Sequence, residues 1–300
     1  MSTQKPTMPA SSPQTAPSGG LEGYAVLITG GGTGIGRACA ERLAVDGAAV
    51  TICGRTETSL AAAAQTISAA AAASGHGGSV QFAIGDVTNE DDVQRIVTAA
   101  LQPTGALNGC LANAGGSAGL GPYHLQDTKQ FLDTLHLNVL GTMLCVKHTV
   151  AHMVAAGGGS FVGMSSIAGY VTHPYFGAYT VSKAGIEQMM RNAADEYGPV
   201  NVRYNSVRPG FIATELMDAI PRDSDVYRSY TDNTPMGGVG EPEDVAGLVR
   251  FLLGPDARWI TGVSIAVDGG LGLRRGPNFG SFLEPFLGTD VMLAKKSFQP

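Results

Sequence analysis

The order in which short apolar runs and longer helix-favouring stretches follow one another constrains this chain more than any other feature. The runs fall at residues 25–29, 49–53, 80–84, 106–112, 159–164, 200–207 and 264–267. Several are apolar throughout, as strands must be when helices cover both faces. Between them lie helical stretches at 35–45, 59–73, 90–101, 128–156, 182–197 and 243–253. This alternation predicts an α/β fold: a doubly wound parallel sheet with right-handed crossovers and helices on both faces.

Length and composition set the frame around that sheet. With 300 residues, 44% of them hydrophobic, the chain can bury a large core as one catalytic domain, placed at residues 21–271. Residues 1–20 are rich in Ser, Thr, Pro, Gln and Gly. They read as a disordered tail, with neither the apolar core of a signal peptide nor the Arg-rich pattern of a transit peptide. Residues 272–300 leave the strand and helix rhythm and form a C-terminal extension, either packed on a neighbouring surface or frayed. The aromatics and leucines between 279 and 287 favour packing.

Charge and cysteine usage exclude several function classes. A net charge of −6 with no long run of Lys or Arg argues against a nucleic-acid partner. No uninterrupted apolar segment reaches membrane-spanning length, so no membrane role is expected. Cys39, Cys53, Cys110 and Cys145 sit singly in apolar segments, the pattern of buried thiols in a reducing cytoplasm. His148 and His152 can share a helix face, but no Glu follows the first as a metalloprotease helix requires. A helix-surface or subunit-contact role is expected there, and no metal site.

Directly after the first strand comes Thr29-Gly-Gly-Gly-Thr-Gly34-Ile35-Gly36, and a helical stretch follows at once. Glycines permit the tight turn and let backbone N–H groups and the helix N-terminus approach a pyrophosphate. In this context the string predicts a Rossmann-type dinucleotide cradle carried by Gly30, Gly34, Ile35 and Gly36. The second strand ends Cys53-Gly54-Arg55. An acidic residue there binds a free ribose 2′-hydroxyl and a basic one a 2′-phosphate, so Arg55 predicts NADP(H) in preference to NAD(H). The other reading of Arg55 is an exposed turn residue, which leaves NAD(H) open.

Tyr179 and Lys183 stand four residues apart on a helical stretch, with Ser166 thirteen positions upstream. A phenol and an ammonium at that spacing share a face, and the cation is expected to lower the phenol's pKa from about 10 toward neutrality, the wiring of a general acid. Taken alone, the pair is common on solvated helices. A serine hydrolase is excluded, because Gly163-Met-Ser165-Ser-Ile167 lacks the second glycine of a nucleophile elbow.

Together with Asp86-Val87, Asn113-Ala114-Gly115, Asn138 and Pro209-Gly210, these motifs resemble, in order, those of the short-chain dehydrogenase/reductase family in its compact single-domain form. The similarity covers about residues 21–271. It implies that Asp86 meets the adenine edge, with Val87 beside it, that Asn113 to Gly115 pack beside the adenosine ribose, and that Lys183 holds the nicotinamide ribose. Ile212, through its backbone, and Thr214 would hold the carboxamide. Ser166 would polarise a carbonyl while Tyr179 gives it a proton, and Asn138 would hold a water beside the lysine. Other readings stand beside these: residues 86–89 as a helix-capping turn, Asn113 as a plain strand end, and Asn138 as a polar helix residue. Ser165 is expected to bond backbone nearby.

One departure bears on the cofactor. Many NADP-preferring relatives carry a second basic residue just before the middle glycine, where this chain has Thr33; Arg37 lies past the last glycine. The resemblance also implies a homotetramer with residues 128–156 and 182–197 at one interface. Substrate walls are expected at 116–120, at the partly aromatic 173–176, and in a mobile lid at 215–236, giving a pocket suited to an apolar or ring-bearing ketone. The leading reading is an NADP(H)-dependent carbonyl or 3-oxoacyl reductase. The alternatives are an NAD(H)-dependent, steroid-like secondary-alcohol dehydrogenase and a non-catalytic dinucleotide sensor on the same fold.

Overall fold

Seven strands form one parallel sheet in the order β3-β2-β1-β4-β5-β6-β7. They are β1 (Ala25–Thr29), β2 (Ala49–Gly54), β3 (Ser79–Ile84), β4 (Gly109–Ala112), β5 (Gly159–Met164), β6 (Val202–Pro209) and β7 (Ser264–Val267). The computed structural model describes residues 20–297 apart from 216, 218, 219, 275, 277 and 278. Apart from Gly20, the N-terminal tail expected from the sequence lies outside the described residues.

Every residue of β1 and β4 is buried, as a strand sandwiched between helical layers requires. Helices α1 (Gly34–Val45), α2 (Glu57–Ser74) and α8 (Pro242–Leu253) bury Leu43, Ile67 and Val249 in an apolar cluster with Val26 and Val50 of the sheet. In a second cluster, α3 (Glu90–Leu101), α5 (Gly141–Ala155) and α6 (Gly177–Tyr197) set Ile96, Cys145 and Ile186 against Leu27, Cys110 and Phe161. Alternate residues of β1, Val26 and Leu27, thus serve opposite layers. The chain winds outward from β1 to β3 and then returns to β4 on the other side of β1. This leaves a crevice beyond the carboxyl ends of β1 and β4, where ligands of such sheets bind.

The structure moves several expected boundaries for local reasons. Residues 106–108 precede β4 instead of opening it, and the Asn108 side chain accepts the Ala25 N–H at 2.8 Å. Val200 ends a short 3-10 turn, and Asn201 takes a left-handed backbone (φ 61°), so β6 begins at Val202. The stretch 128–156 is one helical run broken into α4 (Thr128–Leu135), a π-helical turn at His136–Leu140, and α5. Helix α6 starts at Gly177, which puts Tyr179 in its first turn. The 215–236 segment holds a helix, α7 (Asp225–Asn233), whose Val226 and Tyr230 are buried, so its inner side is a packed wall.

The described residues of the C-terminal extension are folded. Leu271 is fully buried, and α9 (Gly280–Leu287) and α10 (Thr289–Met292) follow it. Leu271 and Phe279 join Ile167, Phe211, Val226 and Tyr230 in a third apolar cluster beyond the carboxyl edge of the sheet.

A buried ion pair fixes α6 to the sheet. Glu187 on α6, 3% exposed, accepts from Arg208 of β6 at 2.6 and 2.5 Å and from the Ser165 hydroxyl at 2.9 Å. Glu187 is the buried member and Arg208 is half-buried, so removing Glu187 takes away three hydrogen bonds but leaves a guanidinium with some access to water. Glu187→Ala is therefore expected to cost about 1–3 kcal/mol in urea unfolding. An unchanged midpoint and slope would show that the pair does not hold α6 in place.

Candidate active site

The glycine-rich turn after β1 needs its glycines for two different reasons. Gly30 (φ 64°) and Gly34 (φ 48°) take left-handed backbone conformations, which residues with a Cβ adopt at a cost. At Gly36 the reason is contact: a Cβ would lie 2.2 Å from the Gly30 carbonyl oxygen and 2.7 Å from Asn113 Nδ2. Thr33 precedes α1 and makes no side-chain cap. Among the described residues, no side chain accepts from the first N–H groups of that helix, which open on the crevice.

Polar side chains stitch this turn to β4. The Thr29 hydroxyl accepts from the N–H groups of Asn113 and Ala114, each at 3.0 Å, and Asn113 Nδ2 donates to the carbonyls of Thr29 (3.1 Å) and Gly30 (3.2 Å). Asn113 thus spends its amide on the loop itself.

A cleft of about 1110 Å³ runs along the carboxyl edge. Gly30, Gly34 and Ile35 line its floor, with Arg55, Asp86 and Val87 at one end. Ala114 and Gly115 lead on to Ser166, Tyr179 and Lys183. Pro209, Gly210, Ile212 and Thr214 form the facing side. Of the catalytic and cofactor-binding residues expected from the sequence, Gly36 and Asn138 stand behind the lining.

Asp86 serves the local turn as well as the cleft. One of its carboxylate oxygens accepts from the Thr88 N–H (2.9 Å) and hydroxyl (2.8 Å), while Asn89 caps α3 by accepting from the Asp92 N–H at 3.1 Å. Across the cleft, Ile212 pairs with Gly240 through the bonds Ala213 N–H to Gly240 O and Gly240 N–H to Phe211 O. Among the described residues, Ile212's own N–H and C=O are left out of that pairing. Arg55 is exposed at the cleft mouth.

At the centre, Lys183 is buried and its Nζ donates to the Met164 carbonyl at 2.8 Å. Burial pulls its pKa down to about 8. Its Nζ lies 5.4 Å from the centroid of the Tyr179 ring. The sequence reading expected this cation to lower the phenol's pKa, and the structure corrects it. Burial pushes the Tyr179 hydroxyl above its ordinary value, and a hydrogen bond with Ser166 offsets the rise only in part. Desolvation penalises the phenolate more than the polar neighbours reward it. Ser166 also accepts from the Ala168 N–H at 3.1 Å, which fixes its rotamer, whereas Ser165 is turned away to the Lys183 carbonyl at 3.0 Å.

Asn138 sits in the π-helical turn, 0% exposed. Its Nδ2 donates to the Gly116 carbonyl and to Ser182 Oγ, both at 2.8 Å, and its Oδ1 accepts from the Gly116 N–H at 2.9 Å. Ser182 in turn donates to the Tyr179 carbonyl at 2.7 Å. The widened turn aims this amide inward. A Cβ at Gly115 would stand 2.8 Å from Asn138 Oδ1 and 3.2 Å from Lys183 Nζ, so Gly115 keeps the space between them clear.

Comparison with known proteins agrees with this geometry. The model of the enoyl-(acyl carrier protein) reductase family matches residues 30–272. The chain is 35% identical to cis-4-hydroxycyclohexanecarboxylate dehydrogenase of Sinomonas cyclohexanicum over 244 residues, 81% of this chain and 94% of that protein. A short-chain type dehydrogenase/reductase from Mycobacterium ulcerans superposes with a TM-score of 0.88 at 44% identity, covering 91% of this chain and 98% of that one. A 7α-hydroxysteroid dehydrogenase complexed with NADH and 7-oxo glycochenodeoxycholic acid does so with a TM-score of 0.77 at 27% identity, covering 84% and 95%. The chain belongs to the short-chain dehydrogenase/reductase family, the NAD(P)-dependent oxidoreductases of CH–OH and C=O groups.

The residues present fit a nicotinamide dinucleotide. The Cβ-free turn, the open N-terminus of α1 and the long cleft from Arg55 to Lys183 supply a phosphate cradle and room for both halves.

Thr29, Ser182 and Glu187 help to build the site and were not singled out in the sequence. For Ser182 the spacing to Tyr179, three residues on one helix, is a usable signal; for Glu187 no local pattern marks the burial that the fold gives it.

Holding Lys183 in this site costs stability. The depressed pKa means that the penalty is fully present below about pH 8 and fades as pH rises toward 10.5, where the unfolded chain also loses the proton. Lys183→Met is expected to raise stability at pH 7 by about 1–3 kcal/mol. That gain shrinks as pH rises to 10.5. Urea unfolding across that range checks both, and a variant less stable than the parent at pH 7 would contradict it.

Proposed function

We propose that the protein transfers a hydride between NADP(H) and an uncharged, apolar ketone or the matching secondary alcohol. The observation that carries this reading is the convergence of Ser166, Tyr179 and Lys183 on one cleft with the Gly30–Gly36 turn. A dinucleotide sensor has no use for a proton donor beside a buried lysine.

The bound cofactor supplies or takes the hydride. The chain's own residues manage the charge that develops on the substrate oxygen. Ser166 offers a hydrogen bond to that oxygen, and Tyr179 delivers the proton during reduction or accepts it during oxidation. A phenol held above its ordinary pKa stays protonated across neutral pH, the form reduction needs. Lys183 contributes positive charge at the ring and hydroxyls' end of the cleft, and Asn138 positions Gly116 and Ser182 around it.

Arg55 supports NADP(H): it lines the mouth at the end of β2, placed to pair with a 2′-phosphate. The NADH bound to the hydroxysteroid dehydrogenase favours NAD(H) as the second reading, and Thr33 adds no second cation. The wall around Phe176 and Phe211 supports a ring-bearing substrate, in keeping with the cyclohexane and steroid rings in the names of two relatives, although both of those names also carry an acid group; a 3-oxoacyl compound is the alternative. Four buried free thiols support a reducing, cytoplasmic setting. No described helix is long and apolar enough to cross a membrane. The exposed Leu132, Met143, Val154 and Val181 on α4, α5 and α6 support a homo-oligomer, read as a tetramer.

Tyr179→Phe is expected to cut turnover about a hundredfold or more while leaving NADPH affinity, measured by fluorescence titration, nearly unchanged. Near-normal turnover would remove Tyr179 from its role. In the unaltered protein, kcat/KM is expected to be higher with NADPH than with NADH. Equal or better use of NADH would overturn the cofactor preference.

A further inference from the structure

The substrate end of the cleft is closed by residues that lie past the last strand. Phe279, immediately before α9, is 4% exposed. Its ring centroid is 5.4 Å from that of Phe176, and the Phe176 centroid is 4.6 Å from that of Tyr179. An unbroken row of rings therefore links the C-terminal extension to the proton donor. Phe282, on α9, meets Phe279 edge-on at 6.1 Å, and both line the cleft.

Several contacts hold this segment in place. The Asp268 carboxylate accepts from the N–H groups of Gly270 (2.9 Å) and Gly272 (2.7 Å), which shapes the turn out of β7. Arg274 donates to the Asp232 carbonyl at the end of α7 at 2.6 Å. Gly276 is pressed under the wall, where a Cβ would lie 2.3 Å from the Thr172 carbonyl oxygen and 2.7 Å from the His173 ring. Further on, His124 Nε2 donates to the Val291 carbonyl at 2.9 Å.

Apolar and aromatic side chains dominate the enclosed end. Its walls are Ile167, Phe176, Phe211, Ile220, Phe279 and Phe282, with Tyr230 stacked on Phe211 at 4.2 Å. The charged residues of the lining, Arg55, Asp86, Lys183 and Glu215, stand on the phosphate turn's side and at the lysine itself. His173 faces the substrate end with Nδ1–H donated to the Val171 carbonyl at 2.8 Å, and burial lowers its pKa, so it stays neutral. Among the described residues, a ligand carboxylate or phosphate would find no counter-charge there, and its desolvation would go uncompensated.

We propose that Phe279 is a specificity-determining residue, by which the C-terminal extension closes the substrate compartment and selects compact, uncharged alicyclic ketones and secondary alcohols over larger or tethered ones. This deepens the oxidoreductase reading above and rests on it. Flat or chair-shaped rings present the apolar faces that a compartment walled by aromatic side chains complements. Truncating the outer ring opens the wall, which loosens the fit of small rings and admits larger ones.

The test compares the parent protein with Phe279→Ala and the milder Phe279→Leu, using cyclohexanone, a fused-ring decalone and the N-acetylcysteamine thioester of a 3-oxoacyl chain. Unfolding midpoints establish that each variant is folded; Phe279→Leu preserves most of the packing volume if the alanine variant is not. Two readouts are taken: steady-state kcat/KM with NADPH, and direct binding of the ketones without cofactor, by ligand-observed NMR. The expected result is a fall of about tenfold in kcat/KM and weaker binding for cyclohexanone in Phe279→Ala, with equal or better values for decalone, a smaller change of the same sense in Phe279→Leu, and an unchanged KM for NADPH. A uniform change across the three substrates, or no change, overturns the proposal. Parent protein that oxidises neither NADPH nor NADH with any of the carbonyls refutes the oxidoreductase reading by itself; the binding shift between parent and variants still decides whether Phe279 selects the ring.

Discussion

The Thr29 hydroxyl and the Asn113 amide, bonded across the ends of β1 and β4, hold the two strand ends between which the crevice opens. A parallel sheet ends all its strands on one edge, and the point where the winding reverses leaves that edge open. Without those bonds the glycine turn after β1 would be free to move relative to Ala114 and Gly115. With them, the floor of the phosphate cradle and the wall leading to Lys183 form one rigid piece. Gly36 belongs to the same arrangement, because only a residue without Cβ lets α1 approach both Gly30 and Asn113 so closely.

Helix α6 carries two buried charges one turn apart and treats them differently. Glu187 is matched by Arg208 and Ser165, and so ties the helix to β5 and β6. Lys183 has a carbonyl, not a carboxylate, for a partner. That asymmetry places an under-compensated cation beside the Tyr179 ring while its neighbour anchors the helix that presents it. Sites of this kind trade stability for function. The π-helical turn contributes in the same sense: it gives up regular helix geometry to bring the Asn138 amide to Gly116 and Ser182.

What was legible in the sequence was what local spacing encodes. The alternation of strands and helices, the glycine turn and the shared face of Tyr179 and Lys183 each follow from backbone period or conformational freedom within a few residues. The environment of those side chains was not legible. Whether Tyr179 is raised or lowered in pKa depends on how much protein covers it, and part of that cover, Phe176, is itself backed by Phe279 of the C-terminal extension, distant in sequence from the helix. The extension itself read as either packed or frayed, because its aromatics have no period of their own; their partners on α7 and near Phe176 supply the order. The interruption of residues 128–156 was equally hidden, since an apolar helical pattern continues straight through Asn138.

The central claim is that the charge on buried Lys183 favours the negative charge that proton transfer leaves on Tyr179, whose hydroxyl stays protonated across neutral pH until substrate takes the proton. The most direct test is the rate of single-turnover reduction of a cyclic ketone by enzyme-bound NADPH, followed from neutral to alkaline pH. The account predicts that the rate falls as pH rises through about 8, where Lys183 loses its proton, and that this break is missing from Lys183→Met. A rate that is flat through that range, or a break that persists in the variant, would contradict it.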